Sequence, residues 1–363
     1  MPYVIAVEPC FPEHYYSQAD VGREFLRVFG ARSEASPDKI QRLFGSVKVE
    51  GRHLTLPLED YQKLDGFAMR SKLWLDNALT LGQAAVERAL ASSGLEPAEI
   101  GLFTTSTVTG VAVPSLESRL MNRLRFSNDC RRMPLFGLGC VAGAAGIARV
   151  ADHLRAYPRQ AALLLCVELC SLTLQLSDAS VVNVIGSALF GDGAACVVMV
   201  GDEHPLARSR SSTSEPCGGG PRVRETRSVF FPDTERTMGW DMKDTGFSIV
   251  LSGSVPELAR GPFSAALREF LASHELTPAD LASWIAHPGG PAVIDAIEQA
   301  LALTPGALDA TRHTLARIGN LSSVSVLVLL HEVLRGARPA PGSPGLLFAM
   351  GPGFCAELVL LDW

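Results

Sequence analysis

Cys140 stands in the stretch 136–149, Phe-Gly-Leu-Gly-Cys-Val-Ala-Gly-Ala-Ala-Gly-Ile-Ala-Arg. Gly137 and Gly139 permit backbone angles closed to residues with side chains. The small residues after the cysteine make a poor exposed helix, because each glycine costs roughly 1 kcal/mol against alanine. They suit a helix buried where other backbones come close. A cysteine in the first turn of such a helix meets unpaired amides and the positive end of the dipole. Its thiol is therefore expected to ionise more readily than usual and to act as a nucleophile. His287 ends a short apolar run, 284–287, and Pro-Gly-Gly-Pro follows it. An imidazole at a strand end, held by rigid turns, is placed for chemistry. Asn320 lies in Gly-Asn-Leu-Ser-Ser, residues 319–323. It either caps the helix that follows or turns its amide into a site, leaving Ser322 or Ser323 to start the helix. An amide beside an imidazole can hold a thioester carbonyl and stabilise an enolate.

The elements that must position these groups alternate along the chain. Residues 3–8 read as a strand, 13–30 and 38–44 as helices, and 75–93 as a long alanine-rich helix closed by Gly94. Residues 99–106 read as a strand and 114–124 as a helix. The apolar run 161–167 suits a buried parallel strand, and 185–200 holds a turn, around Asp192 and Gly193, that opens into a strand. Residues 205–221, rich in Ser, Gly and Pro, read as a linker. Helices follow at 262–274, 292–301 and 321–334. Strands at 345–350 and 356–361 flank Gly351, Pro352 and Gly353. The two halves, 1–208 with the cysteine and 209–363 with the histidine and asparagine, share one plan. That pattern predicts a layered α/β fold with helices between two sheets.

Composition narrows the function. The chain has 363 residues, a formal charge of -6, 47% hydrophobic and 19% charged residues. No basic run points to nucleic acid, and no apolar stretch of ~18 residues points to a membrane span. The first eight residues lack the charged start of a signal peptide. The eight cysteines show no metal-ligand spacing. The reading is no metal, reduced thiols and a cytoplasmic location.

Five motifs in order carry a resemblance: Gly-Cys-Val-Ala-Gly at 139–143, Leu-Phe-Gly-Asp-Gly-Ala at 189–194, His-Pro-Gly-Gly-Pro at 287–291, Gly-Asn-Leu-Ser-Ser at 319–323 and Gly-Pro-Gly-Phe at 351–354. Over nearly its whole length the chain resembles the type III polyketide synthases, the chalcone synthase-like enzymes. Leu-Pro-Leu-Glu-Asp-Tyr at 56–61 and the segment 230–240 look most like the bacterial branch that makes alkylpyrones and alkylresorcinols. The resemblance implies a thiolase-like five-layer αβαβα fold from two similar halves, and a homodimer. It implies no cofactor, with coenzyme A or carrier-protein thioesters as substrates.

Carried over by motif, Cys140 matches the acyl-accepting nucleophile, and His287 and Asn320 the pair that activates it and drives decarboxylation. Phe190 matches a gatekeeper phenylalanine. Ile249 falls where plant members carry a second one, and Trp240 where they have glycine. Cys170 and Thr173 match cavity-lining threonines, and Ser322 adjoins the same cavity. Lys39 and Arg42 match basic residues that contact coenzyme A phosphates, or a carrier arm; Ser46 takes the place of a third. Gly351, Pro352 and Gly353 match the cyclisation loop. The implied reaction loads an acyl starter on Cys140, extends it with malonyl units and closes an α-pyrone or resorcinol-type ring. Two variants keep this chemistry: a ketosynthase that joins two carrier-bound (β-keto)acyl chains into a pyrone, or a single condensation as in ketoacyl-ACP synthase III. A non-catalytic binder of acyl thioesters is the reading from another class. Glu168 is expected as a buried carboxylate behind the cysteine, and Cys166, Cys196 and Cys355 as core residues.

Overall fold

The computed structural model describes residues 1–30, 33–175, 177–178, 180–211 and 220–363. Nine strands form the main sheet: β1 (Tyr3–Cys10), β2 (Ile100–Thr107), β3 (Arg131–Phe136), β4 (Ala161–Leu169), β5 (Asp192–Val200), β6 (Arg222–Phe230), β7 (Ser283–Ala286), β8 (Pro344–Gly351) and β9 (Cys355–Asp362). Their order is β7-β8-β9-β6-β1-β5-β4-β2-β3.

The order contains an internal repeat. In the first half β1 pairs antiparallel with β5, β5 antiparallel with β4, and β4 parallel with β2. In the second half β6 pairs antiparallel with β9, β9 antiparallel with β8, and β8 parallel with β7. The first half adds β3, parallel to β2. The halves join where Tyr3 of β1 meets Arg222 of β6.

Side-chain alternation along a strand explains the layers. On β4, Leu163, Leu165 and Val167 belong to an outer core that includes the long helix Gly66–Ser93. Ala162, Leu164 and Cys166 face inward, into a second core shared with the helices Ala142–Ala156 and Ser325–Arg335. On β8, Phe348 faces outward, its ring 5.3 Å from that of Phe263, while Leu347 and Ala349 face the inner core. Helices Ser264–Ala272 and Pro291–Leu301 cover that side. This is the expected five-layer αβαβα fold of two similar halves.

The small residues serve the central layer. A methyl group on Gly146 would lie 2.5 Å from Leu164 Cδ1, and one on Gly143 would collide with the carbonyl oxygen of Ser323 and lie 2.6 Å from Val326 Cγ1. The two inner helices touch because Gly143 has no side chain.

Some elements differ from expectation. Residues 14–17 form a strand paired with Gly51–Leu54; the helix begins only at Gln18, capped by the Ser17 hydroxyl, which accepts from the Asp20 amide. Adjacent Tyr15 and Tyr16 favour strand. Residues 205–211 are helical rather than linker, 212–219 lie outside the described residues, and the expected division at 208/209 falls on that helix. Asp192 and Gly193 open β5 and make no turn. An unforeseen hairpin, Met238–Lys243 with Gly246–Leu251, leans over the first half. Among the described residues no helix is long and apolar enough to cross a membrane.

Candidate active site

Cys140 lies in a 3-10 turn, Gly139–Val141, that runs directly into helix Ala142–Ala156. Gly139 holds φ +54, and a methyl group there would lie 2.6 Å from Pro352 Cδ. The loop 351–353 is thus pressed against the cysteine turn.

His287 follows β7. Its amide donates to the Phe348 carbonyl at 3.0 Å and extends the β7–β8 ladder by one residue. The side chain is 4% exposed, and its Nδ1 is buried with no hydrogen-bond partner among the described residues. Asn320 sits where the chain turns toward helix Ser325–Arg335. Its Oδ1 accepts the Ser322 amide at 2.8 Å, which leaves the side-chain NH2 as the group available to a ligand. Ser325, rather than Ser322 or Ser323, serves the Leu321 amide, with its hydroxyl at 2.7 Å.

These residues come from both halves and meet in one cavity of about 440 Å³. Cys140, His287, Asn320, Ser322, Phe190, Cys170, Ile249, Trp240 and Pro352 all line it, as does Ser46. The rest of the wall is largely aliphatic, including Val182, Ile185 and Leu251. A few convergent polar groups in an apolar cavity are the usual form of a small-molecule site. Phe190, Ile249, Trp240 and Cys170 also line a smaller cavity of about 100 Å³, so they form the wall between the two. Thr173 lines only the smaller one. Ile249 and Trp240 are direct partners across the hairpin. Gly351 packs against Val141 rather than lining the cavity, and Gly353 borders a third cavity of about 300 Å³ beyond Trp240.

Lys39 and Arg42 project from helix Pro37–Ser46, exposed, and neither makes an ion pair among the described residues. The end of that helix, Ser46 and Val47, reaches the cavity wall.

The electrostatics correct one expectation. The helix start alone does not acidify the thiol. Burial raises Cys140 to about 12; the Ser322 hydroxyl 3.5 Å away opposes it, and the Glu168 charge adds a lesser push upward. Burial lowers His287 to about 4. Neither group ionises alone in this apolar setting; a thiolate arises only when its proton has somewhere nearby to go.

Glu168 is wholly buried, as expected, and burial raises it to about 7. Its Oε1 accepts from the Ser323 hydroxyl at 2.6 Å, and its Oε2 from the Val108 amide at 3.1 Å and the Thr109 hydroxyl at 3.0 Å. It ties the end of β2 to the turn after Asn320. Cys166 and Cys196 are core thiols, and Cys355 is half-buried, its thiol 3.4 Å from the Pro352 carbonyl. Asp192, read from sequence as a turn residue, is a buried carboxylate that accepts from the Thr55 amide at 2.7 Å and the Ser171 amide at 2.8 Å. A carboxylate that opens a strand and is buried by distant segments gives no such signal in the sequence.

The family model for chalcone and stilbene synthases, N-terminal domain, matches residues 2–203, and the C-terminal domain model matches 222–362. A 1,3,6,8-tetrahydroxynaphthalene synthase of Streptomyces peucetius is 45% identical over 360 residues, covering 99% of this chain and 93% of that one. A phloroglucinol synthase of Pseudomonas fluorescens is 30% identical over 353 residues, 97% of each. The crystal structure of 1,3,6,8-tetrahydroxynaphthalene synthase from Streptomyces coelicolor, a bacterial type III polyketide synthase, superposes with a TM-score of 0.90 at 31% identity, covering 99% of both chains.

Proposed function

The chain belongs to the chalcone and stilbene synthases, the type III polyketide synthases, which are decarboxylative condensing acyltransferases, and we propose that its Cys140, His287 and Asn320 carry that reaction. One observation carries the assignment: a sulfur from the first half and an imidazole and a carboxamide from the second share one apolar cavity.

His287, neutral at working pH, takes the thiol proton as Cys140 Sγ attacks the carbonyl of a starter acyl-CoA. The carbon–sulfur bond to coenzyme A breaks, and its thiolate leaves with that proton. A malonyl thioester then enters. The bond to its carboxylate breaks, carbon dioxide departs, and the electron pair forms an enolate. The Asn320 amide and the imidazole donate to the enolate oxygen. No carboxylate base is required. The enolate carbon attacks the acyl-cysteine carbonyl, forms the new carbon–carbon bond and expels Cys140 as its thiolate, ready to take the next acyl group. Dry, aliphatic walls protect the enolate from water.

The extended chain closes through carbon, giving a polyhydroxylated aromatic ring of the resorcinol kind, or through an enol oxygen, giving an α-pyrone. The relatives' named products, tetrahydroxynaphthalene and phloroglucinol, favour carbon closure here. Lys39 and Arg42, exposed beside the cavity wall, favour delivery by coenzyme A over a carrier protein. A homodimer is supported by exposed apolar side chains: Val111 and Val113 in the segment after β2, and Phe136 at the end of the neighbouring β3.

The test is malonyl-CoA turnover. Carbon dioxide release and a condensed product, identified by mass, are expected with the native enzyme. Asn320→Ala should lower release by about 10²–10³-fold, and Cys140→Ala should abolish covalent acylation. A native enzyme inert to malonyl-CoA would end this reading.

A further inference from the structure

Arg52 lies in the short strand Gly51–Leu54 and is wholly buried, and it lines none of the three cavities. Its Nη1 donates to the carbonyls of Ser187 at 2.9 Å and Phe190 at 3.0 Å. Its Nη2 donates to the carbonyl of Ala188 at 2.6 Å and to Gln18 Oε1. Three of these acceptors end the helix Val181–Leu189 and include its cap residue Phe190. Such terminal carbonyls have no amide of their own helix to bond. A planar fork of donors answers several at once, and its charge sits at the negative end of the helix dipole. Gln18 completes the arrangement, with Nε2 donating to Ala188 at 3.0 Å.

The same helix end is bonded to Asn320. The backbone amide of Asn320 donates to the Leu189 carbonyl at 2.9 Å, and the Gly191 amide donates to the backbone carbonyl of Asn320 at 3.0 Å, making Phe190 and Asn320 a parallel pair. The joint is tight. A methyl group on Gly191 would lie 2.8 Å from the Ile318 carbonyl and 3.2 Å from Arg52 Cβ, and one on Gly319 would lie 2.8 Å from the Leu189 carbonyl.

We propose that Arg52 is a positioning residue that holds Phe190 and Asn320 as one unit, so that the cavity wall and the enolate-stabilising amide are set by a single guanidinium outside the cavity. The inference rests on the role given to Asn320 above. Cys140 is held by a different turn, against Pro352. The Asn320 turn also reaches the sulfur through Ser322, 3.5 Å away, so loss of the fork acts on decarboxylation, where the carboxamide works directly, more strongly than on loading of the thiol.

Arg52→Lys keeps the charge and removes the fork. Gln18→Met leaves the fork and removes its outer partner, together with the Gln18 bonds to the Ala188 and Phe44 carbonyls. Two steps are read separately: acylation of Cys140 by an acyl-CoA, followed by intact mass, and carbon dioxide release from malonyl-CoA. Arg52→Lys is expected to slow release about ten- to hundredfold, as a misplaced group does, and to leave acylation within about twofold of the native rate. If thermal melting shows that Arg52→Lys is unfolded, Gln18→Met decides, with the same selectivity at about threefold. Equal loss of both steps, or no loss in the deciding variant, overturns the inference. The native enzyme and Asn320→Ala, run beside these, test the proposed function by itself: release in the first and not the second leaves it standing whatever Arg52 does.

Discussion

The thiol of Cys140 and the hydroxyl of Ser322 face each other 3.5 Å apart across the joint between the two halves. Ser322 holds φ +52, a left-handed conformation uncommon outside glycine, and its amide is bonded to Asn320 Oδ1. One residue thus touches the sulfur through its side chain and the carboxamide through its backbone. The hydroxyl is the larger of two contacts that favour a thiolate, the other being a backbone hydrogen bond at Cys140 itself, against burial and Glu168. Ser322→Ala keeps the backbone bond and removes that contact. Acylation of Cys140 should slow by about two- to tenfold, the worth of one net hydrogen bond. Carbon dioxide release should change less. Stopped acylation assays on the two proteins check this.

In the proposed reaction His287 decides when the sulfur becomes reactive. An isolated thiol at about 12 yields little thiolate at neutral pH. An imidazole held down to about 4 is neutral there and by itself a weak base; it takes the proton because thiolate and imidazolium, formed together, stabilise each other. Native Cys140 should therefore react with iodoacetamide at neutral pH. In His287→Gln no base remains. The alkylation rate should then climb about tenfold per pH unit from pH 7 to pH 10 without levelling, as for a thiol whose folded value lies well above that range. A plateau in the variant below pH 9 would mean that another group takes the proton.

The three polar positions that share the cavity were legible because each sits at an element end with a local signature. Glycines precede Cys140, a Pro-Gly-Gly-Pro turn follows His287, and Gly319 precedes Asn320. The fold was legible for a related reason: β4 is apolar on both faces, and the helix after Cys140 is made of residues that only a close neighbour explains. Arg52 was not legible. Its carbonyl partners lie 135 to 138 residues away, and a charged residue in a short strand looks like a solvated one. The state of the thiol was misjudged for the same reason. A helix start is a local feature, whereas burial is decided by both halves together.

Gly143 is where the two inner helices touch, so the added methyl of Gly143→Ala must displace the Ser323 backbone or Val326. Overpacking of this kind costs about 1–3 kcal/mol. The melting temperature should fall by several degrees. Ser323 also donates to Glu168 and lies beside Ser322, so the displacement reaches the site. Activity at temperatures below the transition should fall as well. An unchanged melting curve would show that the layer has slack here.

Lys39 and Arg42 test how the thioester arrives. Both are exposed on helix Pro37–Ser46, whose end reaches the cavity wall at Ser46. If they meet the phosphates of coenzyme A, they add attraction that acts alike on ground and transition states. Lys39→Glu with Arg42→Glu should then raise KM for an acyl-CoA about three- to tenfold and leave kcat unchanged, since exposed ion pairs are each worth about 0.2–1 kcal/mol. The native KM should rise with added salt, and that of the variant should not. A thioester of N-acetylcysteamine carries no phosphate. Its kinetics should be the same in both proteins, because only the charged end of the substrate has lost its partners. Equal damage to both thioesters would place the two basic residues in the fold's support rather than in recognition.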